Sequence, residues 1–298
     1  MNARSGIRAW LELVRIPNLL TVPGDPLAGY LLAGGGLTRD GASGIAVIMV
    51  VAVCLYAAGL IFNDVADVVE DCRSRPSRPI PGGRIRRSTA GWAGTLLMVL
   101  AVLAAGRISP DTGWVALVLA GLVLLYDFGS RRIPLIGFIN MGMCRGASVM
   151  LGAACAGGTW LTPAPMLAAG TMVVYVAGVT VLASTETRSH RPSWLRWVPL
   201  GALLVWLAGI PVALPQASPL AAVLALVMVW NTLRAVQPLG AAVEGGRVAV
   251  SIGQLVRGLL LVQATWCAAV GGRGLVAAGV LTALWCVAGW LGRRFYSS

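Results

Sequence analysis

The chain has 298 residues, 57% hydrophobic and 11% charged, with a formal net charge of +12. A soluble domain carries about 25% charged residues; too few polar side chains are present here to cover a water-facing surface, so a soluble enzyme and a disordered chain are both excluded. The positive charge is 23 Arg and no Lys, set in short loops between apolar runs, which argues against nucleic acid as the partner.

A helix crossing a hydrocarbon core of about 30 Å needs roughly 20 apolar residues. Ten segments qualify in chain order: 10–34, 43–65, 88–106, 111–127, 135–157, 163–186, 194–214, 218–236, 247–270 and 273–292. Residues 1–9 lack the apolar stretch of a signal peptide. Pro17, Pro23 and Pro26 interrupt the first segment and predict a kink there. Gly142 and Gly146, four apart, predict a close helix contact. The expected architecture is all-α: one domain over 1–298, a polytopic bundle of nine to ten transmembrane helices.

Orientation follows from Arg placement. With the N-terminus in the cytoplasm, 18 Arg fall inside and three (Arg39, Arg107 and Arg273) outside. An integral protein of a bacterial inner membrane, with its N-terminus and Arg-rich loops cytoplasmic and lipid as its surroundings, is expected. The six Cys form no Cys-x-x-Cys pair and read as small apolar packers. His190 stands alone, so a zinc site lacks ligands. No Gly-x-Ser-x-Gly elbow or Walker sequence occurs.

The acids are concentrated. Of 11, four lie between Asp64 and Asp71. On one helix Asp64, Asp67 and Asp71 are spaced i, i+3, i+7 and share a face, with Glu70 elsewhere. Three carboxylates at a membrane boundary repel one another. Mg²⁺ relieves that repulsion, and it commonly bridges carboxylates to substrate phosphates. Residues 72–87 then supply six Arg among Pro-fixed turns, including Arg73 and Arg78. Arg grips phosphate oxygens in bidentate fashion. Together these predict a diphosphate site at the cytoplasmic surface. The competing reading is a solvated acidic helix end beside an ordinary positive-inside loop.

Asn63-Asp64-x-x-Asp67-x-x-x-Asp71 resembles the first Asp-rich motif of the UbiA superfamily of intramembrane prenyltransferases. Leu13-Val14-Arg15-Ile16-Pro17-Asn18 resembles the family's opening, and Arg78-Pro79 its following loop. Tyr126-Asp127 through Arg131, Arg132 and Pro134, then Asn140 to Gly146, are most similar to the EboC-like branch. The resemblance implies a helix bundle around a central cavity open to lipid. It implies an isoprenyl diphosphate held through Mg²⁺, ionised, and captured by an acceptor. Asn63, Arg15, Arg131 and Arg132 are then expected at the diphosphate, the last two replacing a family Lys. The second Asp-rich motif is reduced to Glu186, the remaining metal-ligand candidate.

Other roles stay open. Asn18 faces the diphosphate or satisfies freed backbone. Asp127 takes the acceptor's proton, with Tyr126 stabilising the cation through its ring, or Asp127 merely caps a helix. Arg145, in mid-span, acts on substrate or pairs with Asp25. Prenyl transfer competes with intramembrane terpene cyclisation and with non-catalytic binding or transport of a lipid-like metabolite.

Overall fold

The computed structural model describes residues 3–36, 38–185, 193–240 and 245–295. Among them are thirteen α-helices and no strand. They are α1 (Ala3–Leu13), α2 (Ile16–Leu19), α3 (Gly24–Leu32), α4 (Arg39–Ala66), α5 (Val68–Ser74), α6 (Arg87–Ile108), α7 (Pro110–Phe128), α8 (Pro134–Cys155), α9 (Pro163–Ala183), α10 (Val198–Ala213), α11 (Pro219–Val236), α12 (Gly245–Val270) and α13 (Arg273–Phe295). Nine of the described helices, α4 and α6 to α13, are long and apolar enough to cross a membrane.

Local chemistry sets the ends. Pro occupies the first turn of α7, α8, α9, α10 and α11, where its missing N–H is no loss. Ser109 and Thr112 form a reciprocal cap at the start of α7. Thr38 caps α4 by accepting from the Gly41 N–H.

Two expectations are corrected. The first apolar segment, 10–34, is not one spanning helix. α1 stops at Leu13, Arg15 takes a left-handed conformation (φ 47°), α2 runs four residues, and α3 begins at Gly24. Pro17, Pro23 and Pro26 remove backbone donors and restrict the residues before them. The second correction concerns the acidic cluster. The helix does not continue through Asp71: it breaks at Asp67, which ends α4 and precedes α5.

The bundle packs through bare backbone. A Cβ on Gly142 would meet the Val173 carbonyl, and one on Gly146 would crowd α9 at Ala169. The spacing read from sequence is therefore the α8–α9 contact. α3 presses equally closely: Gly29 lies against the Val149 carbonyl and Gly152 against that of Pro26. With no hydrophobic effect between helices in lipid, such close approach supplies the association energy. α8 is the hub, touching α3, α7 and α9. Trp92, Leu96, Val99, Leu100 and Leu103 form an exposed apolar face on α6, as lipid-facing surface requires. The cysteines Cys54, Cys72, Cys144, Cys155, Cys267 and Cys286 are all free. Cys72 and Cys286 are exposed rather than packed inside.

Candidate active site

One face of α4 builds the wall of a cavity of about 200 Å³. Ala52, Leu55, Tyr56, Gly59, Leu60 and Asn63 line it. Their spacing is one helical stripe. Val22, Leu119, Val123, Met141 and Cys144 complete an apolar interior. Polar groups sit at its edges: Arg15, Asn63, Tyr126 and Asp127 in one group, Arg145 and Ser148 in another.

The acidic cluster adjoins the first group. Asp64 is 3% exposed and accepts from Arg15 Nη2 at 3.0 Å and Arg78 Nη1 at 3.4 Å. The same Arg78 nitrogen donates to Asp71 Oδ2 at 2.6 Å. Asp64 and Asp71 thus converge on one guanidinium. Asp67 does not join them; it pairs with Arg131. The helix break at Asp67 is the reason the expected single face of three carboxylates splits into a pair and an outlier. The hydrogen bond to Asp67 holds the Arg131 guanidinium above its ordinary pKa, so that arginine stays charged at any working pH. Asn63 Nδ2 donates to Asp127 Oδ1 at 3.4 Å, tying α4 to α7 at the cavity edge.

The remaining candidates separate. Asn18 lies in α2, where its carbonyl accepts from Thr21, and is not a cavity-lining residue. Arg73 and Arg132 are exposed and face a second recess, shared with Asp67 and Arg131. Arg145 is paired with Asp25, Nε to Oδ2 at 3.0 Å. Gln263 Nε2 donates to Asp25 Oδ1 at 2.6 Å, and both Arg145 and Gln263 donate to the Thr21 carbonyl. Glu186 lies outside the described residues, as does His190.

Sequence reasoning missed Tyr56, Ser148 and Gln263. Tyr56 was recoverable, because it sits two helical turns before Asn63 on the same stripe. Gln263 carried no local signal; only the fold brings α12 to Asp25.

Among the described residues no group of three His, Cys, Asp or Glu converges as a metal site. The donor chemistry nevertheless fits a hard divalent cation. Two buried carboxylates already meet at one positive point, and Mg²⁺ characteristically takes one or two carboxylates and completes its shell with water and phosphate.

The UbiA prenyltransferase family profile matches residues 26–243. The chain belongs to the UbiA prenyltransferase family. Digeranylgeranylglyceryl phosphate synthase of Methanosarcina barkeri is 32% identical over 163 residues, covering 51% of this chain and 56% of that protein. The synthase of Ignicoccus hospitalis is 31% identical over 153 residues, covering 51% and 48%. The chain thus spans about half the length of the curated relatives it matches. Among solved structures, a UbiA homologue from Aeropyrum pernix superposes with a TM-score of 0.67 at 17% identity, covering 83% of this chain and 96% of that one. A UbiA homologue from Archaeoglobus fulgidus, bound to DMAPP and Mg²⁺, gives 0.60 at 11% identity, covering 85% and 98%. These likenesses show the fold, the helix bundle of the UbiA homologues; the family match and the nine long apolar helices among the described residues make it an integral membrane protein.

Proposed function

We propose that this UbiA-family protein is a Mg²⁺-dependent membrane prenyltransferase that ionises an isoprenyl diphosphate and passes the prenyl group to an acceptor. The observation that carries the reading is an apolar cavity ending beside Asn63, Asp127 and the Asp64–Arg78–Asp71 knot. The curated relatives are named as synthases of a digeranylgeranyl compound, and a fold neighbour is described as holding DMAPP and Mg²⁺. Both support the same chemistry.

Asp64 and Asp71 would hold Mg²⁺, with Asp67 and Glu186 as further ligand candidates. Bound Mg²⁺ neutralises charge developing on the departing diphosphate. Arg15 and Arg78, which stand at those carboxylates, would supply the guanidinium donors that grip the diphosphate oxygens. The bond between C1 of the allylic chain and oxygen breaks, its electron pair leaving with the diphosphate. The apolar wall keeps water from the cation, and Tyr56 and Tyr126 offer ring faces to it. A bond forms from the acceptor to C1, and the acceptor's proton passes to Asp127, which Asn63 orients. Arg145, held by Asp25 and the Thr21 carbonyl, is a positioning residue in the wall. The Arg bias favours a cytoplasmic site in a bacterial inner membrane.

The test uses detergent-purified protein with Mg²⁺ and isoprenyl diphosphates of several lengths. Diphosphate release that depends on an acceptor is the expected result. Release without acceptor, accompanied by a cyclic hydrocarbon or alcohol, would establish cyclisation instead. No release with any chain length would establish a non-catalytic binding role.

A further inference from the structure

The apolar cavity is short, and its deep end is charged. Its α4 stripe runs from Asn63 down to Ala52. Tyr56 stands seven residues before Asn63, which at the rise of an α-helix puts it about 10 Å deeper. There the Arg145 guanidinium, from α8, lies 6.0 Å from the centre of the Tyr56 ring. Both side chains line the cavity, so they form a rung inside it. Arg145 is not free to withdraw. It is 5% exposed, paired with Asp25 at 3.0 Å and bonded to the Thr21 carbonyl at 2.9 Å. Asp25 is itself held by Gln263. Ser148, a turn deeper on α8, adds a hydroxyl to the lining. Val22 and Ala52, each 2% exposed, close the end.

Volume and charge both stop a prenyl chain at this rung. The cavity measures about 200 Å³. An apolar cavity of about 150 Å³ accommodates benzene, so this one admits roughly eight carbons. That is more than one isoprene unit, close to two, and far short of the four in a geranylgeranyl chain. A chain continuing past the rung would lie against a guanidinium and a hydroxyl, or push Arg145 away from Asp25. Separating a buried ion pair is among the costlier changes a protein interior can undergo.

We infer that Tyr56 and Arg145 determine chain length in this protein: their rung seats the methyl end of a geranyl chain and excludes farnesyl and geranylgeranyl chains. The inference rests on the prenyl-transfer reading above. The curated relatives named as digeranylgeranylglyceryl phosphate synthases are named for a longer chain than this cavity admits. Arg145 keeps its place because Asp25 and Thr21 hold it, and Tyr56 supplies the bulk that narrows the passage beside it.

The test measures binding, with Mg²⁺, of the dimethylallyl, geranyl, farnesyl and geranylgeranyl thiolodiphosphates, in which sulfur replaces the bridging oxygen and slows ionisation. Equilibrium dialysis of detergent-purified protein against protein-free micelles subtracts the partitioning of each chain into detergent. Geranyl is expected to bind about tenfold or more tighter than dimethylallyl, and farnesyl and geranylgeranyl about tenfold or more weaker than geranyl. Tyr56→Ala should reverse the order of geranyl and farnesyl, whereas Tyr56→Phe, which keeps the ring, should keep the wild-type order. Gly59 lies one turn nearer Asn63 on the same stripe, and a Cβ there would stand 3.0 Å from Val123 Cγ1. Gly59→Ala should therefore shift the preference toward dimethylallyl. Each variant is read as a ratio between chains, so a general loss of structure, which weakens all of them alike, does not imitate a shift. Affinity that rises or levels off through geranylgeranyl in the wild type would mean that long chains leave sideways between helices, and would overturn the proposal. So would the wild-type order in both Tyr56→Ala and Gly59→Ala. The absence of Mg²⁺-dependent binding for every chain would defeat the prenyl-transfer reading itself, whereas binding without length dependence defeats the rung alone.

Discussion

Arg78 is the residue on which the site turns. It holds two buried carboxylates that would otherwise face each other across a membrane boundary. Removing one partner of a buried ion pair costs about 3–5 kcal/mol, because the other charge is left uncompensated. Arg78→Gln is therefore expected to lower thermal stability in detergent without Mg²⁺, and Mg²⁺ should restore more of it than in the wild type. Thermal unfolding with and without the cation measures this; equal Mg²⁺ responses would refute a shared cation position. Asp64→Asn and Asp71→Asn should each reduce diphosphate release by about a hundredfold or more. The Asp25–Arg145 pair makes a different demand. Asp25 is fully buried, and Asp25→Ala leaves a cation with only Thr21 and its ring contact with Tyr56. A double-mutant cycle on thermal stability should give a coupling above about 1 kcal/mol, and strict additivity would remove the pair from the account.

At the scale of elements, α8 carries the most consequence. Three of its glycines meet neighbouring backbone or side chains on two helices. Gly152→Val would drive a side chain into the Pro26 carbonyl, parting α8 from α3 and displacing the Asp25–Arg145 contact with it. Overpacking of this kind costs typically about 1–3 kcal/mol, and more here, since carbonyl oxygen cannot rotate away. Gly121→Ala has open space around it and should be neutral or stabilising, by up to about 1 kcal/mol. Thermal denaturation of both variants checks the contrast. The amphipathic α1 leads directly into the left-handed Arg15. A non-glycine residue held in that region costs about 1–3 kcal/mol and persists where surrounding contacts enforce it; the Asp64 ion pair is such a contact.

At the scale of the molecule, helix lengths and the Arg distribution predict which end faces the cytoplasm. Cys72 is exposed on α5. In a variant retaining only Cys72, a membrane-impermeant thiol reagent should label inverted vesicles and not right-side-out cells. A cysteine placed at Gly157, in the connection between α8 and α9, should behave oppositely. The reverse pattern would place the diphosphate site outside.

Composition, apolar run length and proline placement determined the class and nearly every long helix, because a hydrocarbon core permits few solutions for a backbone that must satisfy its own hydrogen bonds. The acidic motif was legible for the same kind of reason: clustered charge near lipid is too unfavourable to be incidental. Tertiary structure decided what each charge faces. Periodicity assumed an unbroken helix through Asp71, and the break at Asp67 turned one carboxylate toward Arg131 and left two on Arg78. It divided the arginines between two recesses, kept Asn18 off the cavity wall, and supplied Gln263 to Asp25 from a helix 238 residues away. Local sequence sets where helices begin and end. Which side chains meet depends on how close the backbones approach, and that is settled by the glycines of α3 and α8 acting together.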